Sequence, residues 1–275
     1  MALSLQSISS VARVRAPRIL LLGVEKVGKT SFACGCHFED GKRTAEGINS
    51  PIVIPIKGEE GSDDMSVASF PTLDTFDRVL EAIGVLHNEE HEYRTAVVDS
   101  ISALEPLAWD AVCRTAGVSS IEEVGGGYGK GHAETASLFR TLLEGLDAIR
   151  AKRNMATILI AHVKVKRFDD PGGDSYDRYQ LDVNDRIGLM LARWADLILF
   201  AGSKVAVRKE DAGFGKTKAR GIDVSGGRRF LFTQGRPAHP GGGRGIYGQL
   251  PYELPLDWQS FEAAVSEAQD GTVKS

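Results

Sequence analysis

Four apolar runs in this chain each end in residues that suit phosphate chemistry. The first, Arg18 to Leu22, passes into Gly23-Val24-Glu25-Lys26-Val27-Gly28-Lys29-Thr30-Ser31, a G-x-x-x-x-G-K-T pattern. Its glycines let the backbone curl so that successive N–H groups aim at phosphate oxygens. Lys29 adds a point charge for the β- and γ-phosphates, and the Thr30 hydroxyl is a ligand for Mg²⁺. This loop implies a bound nucleoside triphosphate, ATP as the first expectation, together with Mg²⁺. The run Val97-Val98 ends in Asp99, placed to order the same Mg²⁺ through water. Alternatively, Asp99 caps the helix that follows. Glu59, shortly after Ile52–Ile56, suits activation of the attacking water, or is an exposed turn acid beside Glu60. His162, after Thr157–Ala161, suits a hydrogen bond to the γ-phosphate that reports its loss, or is a structural histidine.

These residues need a scaffold that brings strand ends together. Strands alternate with helical patterns, which predicts an α/β fold with a mainly parallel sheet. In such sheets ligands sit beyond the carboxyl ends of the strands. Helices are expected from Ser31–Cys36 onward and over Thr75–Leu86, Leu104–Cys113, Glu134–Lys152 and Ile187–Arg193. A further strand is expected over Asp196–Phe200. After it, glycine-rich turns and short apolar runs such as Arg229–Phe232 predict β-hairpins. The expected layout is an N-terminal arm over 1–15 and one ATPase domain over 16–262, with a basic hairpin region at 201–250. A flexible tail at 263–275 completes it.

Composition narrows the class. No apolar run approaches the roughly 20 residues that cross a bilayer, so no membrane partner is expected. Cys34-Gly35-Cys36-His37 has no second Cys/His pair at ligand spacing, which argues against zinc. With three cysteines in all, a reducing, cytoplasmic setting is the simplest expectation. The net charge is −4, yet Ala201 to Gly245 holds ten Lys/Arg against three Asp/Glu. That block is a solvated hairpin face, a polyanion track, or a source of cations for a neighbouring subunit's nucleotide.

The stretches Ile54–Gly61, Val97–Ser100, Gly127–Gly131, Ile158–His162 and Trp194–Asp196, and the segment Phe168 to Tyr179, carry a resemblance. Together they resemble RecA-type P-loop ATPases, and within these the phage nucleotide-binding group that includes RecA-like single-strand annealing recombinases. The resemblance runs from about Arg18 to Phe261. It implies a RecA-like core, a nucleotide held between subunits of a ring or filament, and the cytoplasm of a bacterial host. It also implies Glu59 as the catalytic glutamate, supplied by a strand other than that of Asp99. Where such recombinases carry an Ala-Lys-Asn-Arg-like element, this chain has Gly242-Gly243-Arg244-Gly245.

Two segments are candidates for contact with single-stranded DNA. Gly125–His132 is read as a flexible loop bearing Tyr128 and Lys130. Val163–Asp185 is read as a loop with Lys164, Lys166, Arg167, Phe168, Tyr176, Arg178 and Tyr179. Rings interleaved with cations suit stacked bases and phosphates, although the same segment suits a surface lid over ATP. Lys216, Lys218 and Arg220 are candidate cations acting on a neighbour's nucleotide. The function expected is a Mg·ATP-dependent ATPase acting on single strands in phage-type recombination or annealing. The other class is an assembly or regulatory switch ATPase without a nucleic-acid partner. A metabolic kinase is a weaker third.

Overall fold

The computed structural model describes residues 15–39, 42–45, 50–59, 61–170, 172–211 and 217–273. Its strands are, in chain order, β1 (Arg18–Gly23), β2 (Cys36–Glu39), β3 (Lys42–Ala45), β4 (Pro51–Pro55), β5 (Ala68–Ser69), β6 (Thr95–Asp99), β7 (Ala156–Ala161) and β8 (Val163–Phe168). They continue as β9 (Tyr176–Leu181), β10 (Leu197–Gly202), β11 (Val205–Asp211), β12 (Thr217–Asp223), β13 (Phe230–Phe232), β14 (Gly242–Gly243) and β15 (Glu253–Pro255). The helices are α1 (Lys29–Ala33), α2 (Phe76–Asn88), α3 (Ile101–Ala116), α4 (Lys130–Arg153), α5 (Asp185–Trp194) and α6 (Trp258–Val273).

Among the described residues, nine strands make one sheet in the order β15-β13-β10-β1-β7-β6-β4-β5, with β14 also beside β10. The strands from β10 to β5 are parallel, and β13 and β14 are antiparallel to β10. The fold is therefore α/β with C-terminal antiparallel strands, as the alternating pattern predicts. Strand β7 lies between β1 and β6, so the phosphate-loop strand and the Asp99 strand are not neighbours. Successive side chains on each strand face opposite sides. Leu20, Leu22, Val98 and Leu159 join a core covered by α2, α3, α4 and α5. Ile19, Leu21, Val97, Ile158 and Leu199 face the other side, where Phe32 and helix α6 cover them.

Of the tail expected over 263–275, the residues up to Val273 lie in helix α6, and 274–275 lie outside the described residues. Trp258, Phe261 and Ala264 are buried in α6, and the Trp258 and Phe261 rings sit 5.3 and 5.7 Å from Phe32. Its apolar stripe is written partly in alanines (Ala264, Ala268), which carry little hydrophobic signal. The helix expected over Ser31–Cys36 is also corrected. It ends at Ala33, and Cys36 opens the β2–β3 hairpin instead. The N-terminal arm, apart from Arg15, lies outside the described residues.

One ion-pair cluster ties the amino ends of the central strands to α4. The Arg18 guanidinium donates to Asp196 Oδ1 at 2.8 Å, and Arg150 Nη2 donates to Asp196 Oδ2 at 2.9 Å. Asp147 accepts from Arg18 at 3.3 Å and from Trp194 Nε1 at 3.1 Å. Burial opposes the Asp196 charge, but Arg18 and Arg150 outweigh it and hold the carboxyl below the ordinary range. Asp196→Ala takes the paired acid from Arg150 and leaves Arg18 with Asp147 alone. A loss of about 3 kcal/mol is expected in urea unfolding at neutral pH. Because the folded value is depressed, the pair's contribution is present above the unfolded carboxylate value. It is lost as the pH falls through the folded value, so the two proteins should converge in strong acid. A difference that persists there would refute an ionic origin.

Candidate nucleotide site

The parallel register places the carboxyl ends of β1, β4, β6 and β7 on one edge of the sheet. Leu22 pairs with Ala161, Pro55 with Asp99, and Ile56 N donates to Asp99 O at 2.7 Å. The phosphate loop, Glu59, Asp99 and His162 therefore emerge together. All line one cavity of about 1220 Å³. That is room enough for a nucleotide, since ligand pockets run to roughly 300–1,000 Å³.

Within the loop, Gly28 has φ 106°, a left-handed conformation that favours glycine. A Cβ at Gly23 would lie 2.5 Å from the Ala201 carbonyl oxygen, so β1 can approach β10 closely only with glycine there. Helix α1 has five residues, too few for a large macrodipole, so a bound anion would depend mainly on the loop amides and Lys29. Lys29 is buried at 5% exposure and donates to the carbonyls of Gly23 (2.9 Å) and Val24 (2.8 Å). Its ammonium is also 3.4 Å from His162 Nδ1. Burial lowers its pKa, against the opposing pull of Asp99 and Glu59.

Thr30 Oγ1 donates to Asp99 Oδ2 at 2.7 Å. Asp99 is 3% exposed, and burial raises its pKa above the ordinary carboxylate value. The helix-cap alternative falls to its neighbour: Ser100 Oγ accepts from Ala103 N at 3.2 Å and caps α3. Gly61 marks the same spot. A Cβ there would lie 2.6 Å from Thr30 Oγ1 and 3.4 Å from Asp99 Oδ2. A hydroxyl and a carboxylate in contact, with space kept clear by glycine, fit a hard cation such as Mg²⁺ that takes further ligands from phosphate and water. Among the described residues, no cluster of three or more His, Cys, Asp or Glu could hold a metal by itself.

Glu59 faces this pair from β4's extension. Its Oε1 accepts from Ser100 Oγ at 2.6 Å and from His162 Nε2 at 2.8 Å. Burial pushes the Glu59 pKa up, but these hydrogen bonds and the Lys29 charge outweigh it and hold the carboxyl below the ordinary range. An ionised Glu59 only accepts, so His162 Nε2 carries the proton. Lys29 only donates, so Nδ1 is the acceptor, which matches the neutral Nε2–H tautomer. His162 N donates in turn to Ser102 Oγ at 3.0 Å. Glu60, the competing acid, lies outside the described residues. Sequence reasoning assigned no role to Ser100 or Gly61, although both adjoin residues it did single out.

Residues 15–245 match the family described as an AAA domain. The chain belongs to this family. An AAA domain is a nucleotide-binding domain of the P-loop ATPase class, which agrees with the edge of β1, β4, β6 and β7 just described. No curated protein matches the chain.

The other candidate residues fall elsewhere. Gly125–His132 is not a loop throughout. A 3₁₀ turn covers Ile121–Gly126, and Lys130 opens α4 with its ammonium on Gly125 O at 2.7 Å. Tyr128, at φ 56°, is fully exposed. The loop expected over Val163–Asp185 is mostly the antiparallel hairpin β8–β9, pairing Val163 with Leu181 through Phe168 with Tyr176. Alternation in Val163-Lys164-Val165-Lys166 favours a strand, and the Asp/Gly-rich stretch before Tyr176 makes the turn. Lys164 pairs with Asp182 at 3.2 Å, Lys166 with Asp185, and Arg167 lies 3.9 Å from Asp169. Arg178 sits 4.9 Å over the Phe168 ring, and Tyr179 packs on Phe200. Lys218 and Arg220 are on β12, and Lys216 lies outside the described residues. Among the described residues, no helix is long and apolar enough to cross a membrane.

Proposed function

We propose that this AAA domain hydrolyses Mg·ATP and couples the reaction to single-stranded DNA, in the manner of RecA-like annealing recombinases. The observation that carries hydrolysis is the Glu59 carboxylate, which takes both of its hydrogen bonds on Oε1. Among the described residues Oε2 has no donor, so it is free to accept a proton from a water aimed at the γ-phosphate. Ser100 and His162 fix the carboxylate's direction. Lys29 turns from the Gly23 and Val24 carbonyls to the phosphates, whose negative charge is the better acceptor. Thr30 and Asp99 would hold Mg²⁺, which supplies charge stabilisation to the transferring phosphoryl group. His162, hydrogen-bonded to Glu59 and close to Lys29, is placed to respond when the γ-phosphate leaves.

A route from that event to a DNA surface is short. Asp182 N donates to His162 O at 2.9 Å, joining the β8–β9 hairpin to the histidine. The hairpin carries Phe168, Tyr176 and Arg178, and the turn before α4 presents the exposed Tyr128. Each ring stacked on a base contributes about 1–3 kcal/mol. Assembly into a ring or filament, with Lys216, Lys218 or Arg220 completing a neighbour's site, belongs to the same proposal. A second reading, an assembly or regulatory switch without nucleic acid, is favoured by one observation. Lys130, Lys164 and Lys166 are all engaged within the chain.

The test is ATP turnover with and without single-stranded DNA at two salt concentrations. Stimulation that fades at high salt is expected, because phosphate contacts release counterions. A further expectation is that Tyr128→Ala weakens the DNA response while leaving DNA-free turnover intact. Turnover indifferent to DNA would select the switch reading.

A further inference from the structure

The opening turns of helix α3 meet the nucleotide edge and the β8–β9 hairpin at three points. Ser100, the cap, donates to Glu59 Oε1 at 2.6 Å. Ser102 Oγ accepts from His162 N at 3.0 Å. Glu105 Oε1 accepts from Asn184 N at 2.8 Å. Residues three apart share one helix face, so Ser102 and Glu105 look toward the same neighbour. That neighbour is the base of the hairpin. Strand β8 starts directly after His162, and beyond β9 the chain returns, Asp182 N donating to His162 O at 2.9 Å. Ser102, His162, Asp182, Asn184 and Glu105 thus close a ring of contacts between α3 and the hairpin's two ends.

Glu105 is the odd member of this helix. It is 6% exposed, and the other buried residues of α3 are all apolar. Burial pushes its carboxyl pKa up, against the Asn184 amide and the Lys164 charge. An apolar side chain would fill the place without that cost, but it would offer Asn184 N no acceptor. The segment that Glu105 holds is fastened to the hairpin as well. Lys164 Nζ donates to Val183 O at 3.2 Å, and Lys166 pairs with Asp185. We infer that Glu105 is a positioning residue, which fixes the hairpin's exit to α3 so that movement of Glu59 and His162 on nucleotide binding reaches β8–β9 through the helix. This rests on the nucleotide reading above. The physical warrant is continuity: Ser100, Ser102 and Glu105 belong to one rigid element and shift together. Without the Glu105 carboxylate the hairpin keeps its bond to His162 O but loses its tie to that element.

The test is hydrogen–deuterium exchange of the full-length chain, read on residues 163–181 with and without the β,γ-imido analogue of ATP. Affinity for the analogue is measured beside it. In wild type, exchange rates in the hairpin should differ at least about threefold between the free and bound states. Glu105→Ala should abolish that difference while binding the analogue within about threefold of wild type. Glu105→Gln keeps an oxygen acceptor for Asn184 N and should restore the difference. A purely structural Glu105 would raise exchange equally in both states and leave the difference standing, which overturns the proposal. Asn184 supplies a second pair of variants that keeps the question answerable if Glu105→Ala does not fold. Its φ of −57° suits proline, so Asn184→Pro removes the N–H, whereas Asn184→Ala keeps it and loses only the side-chain cap on Arg186 N. The proline variant should lose the nucleotide-dependent difference and the alanine variant should keep it; equal behaviour of the two also overturns the proposal. So does a wild-type hairpin that ignores a bound analogue, and that result leaves the nucleotide reading intact. An analogue that does not bind, or that binds Lys29→Ala as tightly as wild type, sinks the nucleotide reading and this inference with it.

Discussion

Lys29→Ala is expected to lower ATP turnover at least about 100-fold and to weaken nucleotide binding. Three hydrogen-bond donors sit on that ammonium, and in this structure they are directed at Gly23 O, Val24 O and His162 Nδ1. Two carbonyls and a histidine nitrogen are neutral acceptors, and a triphosphate offers charged oxygens instead. Burial has already lowered the Lys29 pKa, so the ammonium is poorly solvated and gains more from an anionic partner than a surface lysine would. Removing it takes away the cation that faces Asp99 and Glu59. Two acids would then meet the incoming phosphates without compensation. Phosphate release and equilibrium binding measure the two effects, and a thermal melt checks that the variant is folded. A folded variant that keeps more than about a tenth of wild-type turnover would overturn the site assignment.

Much of this edge is legible in the sequence because Asp99 and His162 directly follow buried apolar runs and the phosphate loop and Glu59 come shortly after two others. Val97-Val98 and Ile158-Leu159-Ile160-Ala161 cannot be left in water, and parallel pairing then carries Asp99 and His162 to the same end of the sheet. The less legible parts are those set by contacts distant in sequence. Ser100 holds Glu59 across 41 positions, and nothing in either local pattern signals the pair. Gly61 reads as a turn glycine until Thr30 and Asp99 are seen beside it. The C-terminal wall of the nucleotide cavity lies about 200 residues from the loop it covers, as the bond from Arg229 to Val27 illustrates. Segment 163–181 shows the opposite difficulty. Its charges suggest an exposed loop, whereas its alternation specifies a hairpin whose cations are neutralised by nearby aspartates.

Glu59→Gln separates binding from chemistry, and its expected effect is a fall in turnover of about 100- to 1,000-fold with nucleotide affinity largely retained. The substitution keeps the shape and an oxygen that can still accept from Ser100 Oγ and His162 Nε2, so the carboxylate's supports survive. What it removes is the charge and the capacity to take a proton from water. Hydrogen bonds from His162 and Ser100, with the charge of Lys29, hold the wild-type carboxyl below the ordinary range despite burial. Glu59 therefore stays ionised through neutral and mildly acidic pH, and its acid limb of turnover should fall below the ordinary glutamate value of about 4.3. Stability carries the same sign. A depressed folded pKa contributes stability above the unfolded value and loses it as the pH drops through the folded value. Wild type should accordingly be the more stable protein at neutral pH, with the gap closing in acid. Melting curves at several pH values, beside single-turnover phosphate release, test both halves. A Gln variant that turns over ATP at near the wild-type rate would remove Glu59 from the reaction. A rate loss accompanied by an equal loss of binding would make it a structural support of the loop instead.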